Sequence, residues 1–163
     1  MDTLVFQGDG NLNKQQLIRK LNWFYSLELN QVEHYQAQGK AVDDIYLKKL
    51  LERVAKIEQG HVDNISDYIF KLGGKPTMIG EASAPVTGMI TGRVSSWVGI
   101  INMLKSNIFL EHKAMADYQD FVLRVSNEDL FELLWSNLID EDLHAAWFAR
   151  RVEELAAMTG VKQ

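Results

Sequence analysis

LIDEDLHAAWF, residues 138–148, sets Glu141 and His144 three residues apart, and KIEQGHVDNIS, residues 56–66, does the same with Glu58 and His61. Residues at i and i+3 are neighbours on a helix surface, so each pair can reach one point in space. Working outward from 141, the positions Leu130, Leu134, Asn137, Glu141, His144, Phe148, Val152 and Leu155 recur at steps of three and four. From 58, the run is Leu47, Leu51, Val54, Glu58, His61, Ile65, Tyr68 and Leu72. Such steps keep one stripe on one helix face, the seam along which helices meet. The carboxylates and imidazoles therefore lie in the seam and not on a solvated face.

Two further stretches carry the same periodicity. One runs Leu17, Leu21, Phe24, Glu28, Gln31 and Tyr35; the other runs Trp97, Ile101, Leu104, Ile108, Glu111, Met115, Tyr118 and Val122. A single offset of 83 carries Glu28 to Glu111, Glu58 to Glu141 and His61 to His144, and also Tyr35 to Tyr118, Leu47 to Leu130 and Leu51 to Leu134. The chain thus reads as two copies of one helical hairpin, each supplying one Glu and one Glu-x-x-His.

The punctuation agrees. Pro76 and Pro85 lie in one place, with Gly73, Gly74, Gly80, Gly88 and Gly92 around them, so residues 73 to about 94 read as a long connection. Four helices are expected at about 13–39, 43–72, 95–125 and 127–158, forming a single domain over 1–163. Asn13 with Gln16 has the form of a capping box, and Gly39 is expected to end the first helix. Asp43 or Asp44 caps the second, Gly73 and Gly74 end it, and Ser126 caps the fourth, which Gly160 follows. Short links make each hairpin antiparallel. At about 3.3 Å per residue, the 20-residue connection can run the length of the bundle. The expected fold is all-α: two antiparallel hairpins joined by a long crossover.

Composition removes several function classes. A net charge of −5 without a basic block argues against nucleic acid. The lack of cysteine excludes disulfides, thiol catalysis and a cysteine-held iron relay, so electrons would come from an external donor. The start, MDTLVFQGDG, lacks the basic residues and apolar run of an export signal, which points to a cytoplasmic location. The most apolar segment, Ile79 to Leu104, is broken by Glu81 and Arg93, so no transmembrane span is expected and only peripheral membrane contact stays open.

Four carboxylates in one core would cost several kcal/mol each without a counter-charge. Two divalent ions neutralise them. The expected ligands are Glu28, Glu58, His61, Glu111, Glu141 and His144, with the four glutamates acting in catalysis through the metals. The mixed oxygen and nitrogen set suits iron, or manganese, and the lack of thiolate argues against structural zinc. Around this set, Asp140 is expected to accept the Nδ1–H of His61 and fix its tautomer. Tyr35 and Tyr118 either hydrogen-bond to the carboxylates or serve as core aromatics. Asn137 either faces the site or is a satisfied polar core residue. His34 and His112 lie off the seam and read as surface or second-layer histidines.

This ligand set resembles that of the ferritin-like di-iron carboxylate proteins, which draw one Glu from each of two helices and Glu-x-x-His from each of the other two. Within them the chain is most similar to the demethoxyubiquinone hydroxylases. The residues that carry that likeness are Lys75-Pro76-Thr77, the Gly88-Met89-Ile90-Thr91-Gly92 segment, Tyr35-Gln36, Tyr118-Gln119 and Asp140-Glu141-Asp142-Leu143-His144. Glu81 and Arg93 depart from the more apolar crossover of that family. A rubrerythrin-like protein is the second choice, although Ile108 stands where rubrerythrins place a further carboxylate. The resemblance implies an oxidoreductase that activates dioxygen or peroxide, with hydroxylation of a small apolar, quinone-like ring. An iron-handling ferroxidase or storage protein and a peroxide scavenger are the alternatives. Association into a homo-oligomer stays open. The crossover, residues 77 to about 94, is expected to cover the route to the metals.

Overall fold

A computed structural model of the chain describes residues 12–80, 94 and 96–160. Four helices fill it: α1 (Lys14–Ala41), α2 (Ile45–Lys71), α3 (Trp97–Val122) and α4 (Glu128–Thr159). α1 packs along α2, α3 along α4, and α2 also touches α4. The result is a ferritin-like four-helix bundle of two hairpins.

The seam residues of α1, α2 and α4 are all buried. They form two apolar layers, one at each end of the bundle. One contains Leu17, Leu21, Phe24, Ile65, Tyr118, Phe121, Leu130 and Leu134. The other contains Tyr35, Leu47, Leu51, Val54, Ile101, Leu104, Phe148 and Leu155. Between them lies the band of carboxylates and imidazoles. Each buried Leu or Phe in these layers contributes about 1.5–3 kcal/mol by leaving water. That apolar gain is what lets the fold hold a polar band at its centre. Arg151, near the C-terminal end of α4, ties that helix to the start of α2 through Asp44 Oδ2 at 2.9 Å.

Helix ends follow local chemistry with three corrections. Asn13 and Gln16 form the expected reciprocal capping box, and Asp44 accepts from the Leu47 amide at 2.6 Å. Gly39 does not end α1; the helix continues to Ala41, and Gly39 lies buried against Leu51 of α2. Packing against the second helix outweighs the roughly 1 kcal/mol that glycine costs a helix. The fourth helix is capped by Asn127 rather than Ser126. The Asn127 side chain accepts from the Leu130 amide at 3.0 Å and from the Tyr68 hydroxyl at 2.9 Å, a partner on α2 that local sequence does not show. Trp97, read as a seam position, is 44% exposed, because it is the first residue of α3 and the seam closes one turn later at Ile100 and Ile101.

α2 ends as expected. Gly73 takes a left-handed φ of 72°, its amide bonds to Phe70 O and that of Gly74 to Ile69 O, the crossed pair of a Schellman turn. A Cβ on Gly74 would meet the Ile18 and Ile69 side chains at 3.0 Å, so a larger residue there requires these side chains to give by a few tenths of an ångström. The connection then binds α1: Thr77 N donates to Asn22 Oδ1 at 2.6 Å and Ile79 N to Ser26 Oγ at 2.8 Å. At its far end Val94 N donates to Ala41 O at 3.0 Å. Both described ends of the crossover are thus fastened to α1. Glu81, Pro85, Gly88, Met89, Gly92 and Arg93, on which the expected access route rests, lie outside the described residues. Among the described residues no helix is long and apolar enough to cross a membrane.

Candidate metal centre

The four helices bring the six expected residues to one place. Glu28 comes from α1, Glu58 and His61 from α2, Glu111 from α3, and Glu141 and His144 from α4. Five are fully buried and His61 is 3% exposed. They form two overlapping groups: Glu28, Glu58, His61 and Glu141; and Glu58, Glu111, Glu141 and His144. In each, one ligand atom per residue lies within 4.8 Å of the others. Glu58 and Glu141 belong to both groups. Glu28 with His61, and Glu111 with His144, occupy the two ends.

The distances show the same order. His61 Nδ1 lies 3.0 Å from Glu58 Oε2, 3.5 Å from Glu141 Oε1 and 3.6 Å from Glu28 Oε2. His144 Nδ1 lies 2.9 Å from Glu58 Oε1 and 3.9 Å from Glu111 Oε2. So each imidazole presents Nδ1 to the carboxylates, and the two oxygens of Glu58 turn to opposite ends. None of these approaches to Nδ1 has hydrogen-bond geometry. Both oxygens of Glu58 and Glu141, Oε2 of Glu28 and Nδ1 of both histidines are buried without a partner. Buried polar atoms are otherwise almost always paired, because each orphan costs about 1–3 kcal/mol. Seven lone-pair atoms converging from α1, α2 and α4 fit cations, and the donor set of four carboxylates and two imidazoles, with Glu111 added from α3, suits a di-metal site.

In the absence of metal, charge is arranged by protons. Burial raises Glu28 to about 7, with Glu58 adding to the effect, and pushes Glu141 well above the usual carboxylate range, helped by Glu58, Glu28 and Glu111. Burial also opposes ionisation of Glu58, but the His144 and His61 rings on either side outweigh it and hold Glu58 at about 2. Burial works against charge on the histidines as well. The carboxylates win: His144 rises to about 9 beside Glu111 and Glu58, and His61 rises well above its ordinary value through Asp140 and the glutamates. Protons thus stand where divalent ions would, and ions must displace them to bind.

Around the six, several side chains hold the carboxylates in place. The Tyr118 hydroxyl donates to Glu28 Oε1 and that of Tyr35 to Glu111 Oε1. Of the two roles open to these tyrosines, the structure shows the hydrogen bond. Asn137 faces inward and donates to the Tyr118 oxygen at 3.0 Å. Asp140 Oδ2 lies 3.1 Å from His61, as the reading of this pair requires, but the atom it meets is Nε2 and not Nδ1. The ring is turned because Nδ1 is the nitrogen that faces the glutamates.

Two features escaped the reading of the sequence. Gln31 donates to Glu111 Oε2 at 3.5 Å. The signal was present, since an amide held a seam position one turn after Glu28. The second feature is a polar knot between α1 and α3. Gln38 Nε2 donates to Asn107 Oδ1 at 2.7 Å, Asn107 Nδ2 returns to Gln38 Oε1 at 2.6 Å, and His34 Nε2 lies 2.7 Å from Gln38 Nε2. Of the two places open to His34, the structure shows the buried second layer, and burial lowers its pKa. It lay off the seam because it faces the neighbouring hairpin instead of the centre. His112 is exposed, as expected.

No family model matches the chain, and the search of characterised proteins found none similar in sequence. Solved structures do match. A ferritin-like, di-iron carboxylate protein from Bacillus anthracis is 26% identical over 85% of this chain and 96% of its own, with a TM-score of 0.68. The dodecameric thioferritin of Bacteroides fragilis, described as bacterioferritin-related, is 20% identical over 93% and 94%, with a TM-score of 0.75. A manganese catalase from Anabaena is 17% identical over 98% and 80%, with a TM-score of 0.69. The structural neighbours thus include a ferritin-like di-iron carboxylate protein, a bacterioferritin-related one and a manganese catalase.

Proposed function

We propose that this protein is an oxidoreductase with two metal ions, iron or manganese, held by Glu28, Glu58, His61, Glu111, Glu141 and His144, and that it acts on dioxygen or peroxide. The observation that carries the reading is the pair of buried groups sharing Glu58 and Glu141, with seven unpartnered ligand atoms turned toward one another. When bound, two such ions supply the electrons that dioxygen or peroxide needs for its reduction. The chain supplies the rest. Glu58 and Glu141 set the spacing of the two positions. Tyr118 occupies Oε1 of Glu28 and leaves Oε2 for the centre, while on Glu111 Tyr35 holds Oε1 and Gln31 reaches Oε2 at the long distance of 3.5 Å. Asp140 holds the Nε2 proton of His61, so that Nδ1 keeps its lone pair. The apolar layers above and below exclude bulk water.

The enclosure favours small reactants. Two surface pockets, of about 360 and 400 Å³, are lined by other residues, the first beside Trp23 and Phe121 and the second beside Gly39 and Ala55. Hydroxylation of a quinone-like ring, which the resemblance implies, is the more specific form of the same proposal and requires a passage wide enough for the ring. Electrons for either form come from a donor outside the chain.

The test is metal content followed by turnover. Protein produced with iron or manganese should hold two ions per chain by elemental analysis and consume peroxide, or dioxygen with a reductant. A stoichiometry near zero, or a single tetrahedral zinc, overturns the proposal. The second reading, iron handling, is favoured by the likeness to a dodecameric thioferritin. Retention of many irons per chain in a closed shell would replace the first reading with it.

A further inference from the structure

α4 carries a second pattern, centred on the side opposite Glu141 and ending at Trp147, whose ring lies 5.9 Å from that of His144. Phe131, Trp135, Ile139, Leu143 and Trp147 follow one another at steps of four. Steps of four trace a continuous ridge along a helix surface, here about 24 Å long at 1.5 Å per residue. Its centre is open to solvent: Trp135 is 45%, Ile139 44% and Leu143 45% exposed, while Phe131 and Trp147 are half-buried at the two ends. Phe131 and Trp135 stack on each other, with ring centroids 6.1 Å apart, so the ridge is ordered before anything meets it. Other large exposed apolar side chains, such as Ile45, Tyr46, Phe70, Phe109 and Leu123, stand at helix ends or singly, as is ordinary for a protein surface. The crossover does not serve as a cover at its described ends, which are fastened to α1.

Apart from Phe131, whose counterpart is Arg151, the ridge is symmetric about the point opposite Glu141. Ile139 and Leu143 stand two residues to either side of it, Trp135 and Trp147 six, and Glu132 and Arg150 nine. At about 100° per residue, Glu132 and Arg150 lie on one line, the outermost of the helix. Both are exposed, and among the described residues Arg150 pairs with Glu154, 3.2 Å away in a solvent-exposed pair that is readily exchanged. A surface whose apolar centre repeats under reversal, and whose outermost charge pair, Glu132 and Arg150, inverts under it, is complementary to itself along that line. Self-complementarity of this kind is what a twofold interface requires.

We propose that the outer face of α4 binds a second copy of this chain, helix against antiparallel helix, about a twofold axis opposite Glu141. In that pairing Ile139 meets the partner's Leu143, Trp135 meets the partner's Trp147, and Glu132 reaches the partner's Arg150. Aromatic residues at the centre with charge at the rim match the anatomy of stable interfaces. Ridges at i±4 interdigitate at interaxial distances of about 8–10 Å, which removes the exposed tryptophan and isoleucine from water. The proposal does not depend on which reaction the metals support.

The test measures the solution mass of the full chain by sedimentation or light scattering. The expected mass is at least twice the 18.6 kDa of one chain, and Ile139→Lys lowers it. Helical circular dichroism shows whether that variant stays folded. Charge reversal decides the matter independently, since it leaves the apolar ridge intact: Glu132→Arg weakens association, Arg150→Glu does the same, and the two together restore it. A wild-type monomer at tens of micromolar overturns the proposal. So does a mass that Ile139→Lys leaves unchanged, or a double reversal that associates no better than either single one.

Discussion

The two ends of the metal centre are built from the same parts and are not the same. The His61 end combines Glu28 and His61, and the His144 end combines Glu111 and His144. Each glutamate is held by a tyrosine from the other hairpin. Beyond that the offset of 83 fails. Asp140 meets His61, but its mate is Ile57, and His144 Nε2 is buried without a partner. Asn137 supports Tyr118, but its mate is Val54; Gln31 supports Glu111, but its mate is Ala114. The repeat places two equivalent positions, and three unmatched polar residues make them unequal. The His61 end carries one more carboxylate, which raises the basicity of its ligand and fixes its tautomer.

The most severe way to break this comparison is to remove what both ends share. Glu58→Ala or Glu141→Ala should abolish binding of both ions, whereas Glu28→Ala or Glu111→Ala should leave roughly one per chain. His34→Ala should cost about 1–3 kcal/mol of stability by loosening its polar knot and leave metal content intact. Elemental analysis of purified variants checks all three. Equal loss from Glu58→Ala and His34→Ala would mean that the shared carboxylates have been misidentified.

A broader test changes pH on metal-free and metal-loaded protein. Glu28 is raised to about 7, so its contribution to metal-free stability is full below the ordinary carboxylate range and is lost as pH rises through 7. His144 is raised to about 9, so its contribution is full below about 6.5 and is lost as pH rises through 9. Glu58 is depressed to about 2, so its contribution is full above the ordinary carboxylate range and is lost as pH falls from about 4.5 through 2. Metal-free protein should therefore become less stable between about pH 5 and 9, and the gain in Tm on adding metal should grow over the same interval. A metal-free Tm that is flat or rising there would contradict the proton arrangement.

The inequality itself is sharpened by Asp140→Asn. It should weaken one of the two ions by about 10- to 100-fold and spare the other, which competitive titration with a chelator resolves into two steps. If both ions weaken together, Asp140 acts on the centre as a whole. The smallest effect separates the tyrosines. Tyr118→Phe leaves both Glu28 and Asn137 short of a partner, while Tyr35→Phe leaves Glu111 with Gln31. The first should cost about 1 kcal/mol more in denaturant unfolding of the metal-free protein. The reverse order would show that Asn137 and Gln31 contribute nothing.

Sequence alone was sufficient for the four helices, the hairpin pairing and the convergence of six residues. Each of these follows from periodicity, and periodicity is a local property: a Glu at a seam position must enter the core whatever the neighbours are. The Schellman turn at Gly73 and the caps at Asn13 and Asp44 were legible for the same reason, since each is completed within a few residues. What escaped depended on groups distant in the chain. Asn127 outcompeted Ser126 because Tyr68 reaches it from α2. Gly39 stayed helical because Leu51 lies against it. His34 was buried because Gln38 and Asn107 close over it between two hairpins. The choice of Nδ1 over Nε2, and of Glu58 and Glu141 as the shared carboxylates, needed the relative depth and rotation of four helices. Spacing sets which face a residue occupies, but only packing sets how far it reaches and which of its atoms arrives first.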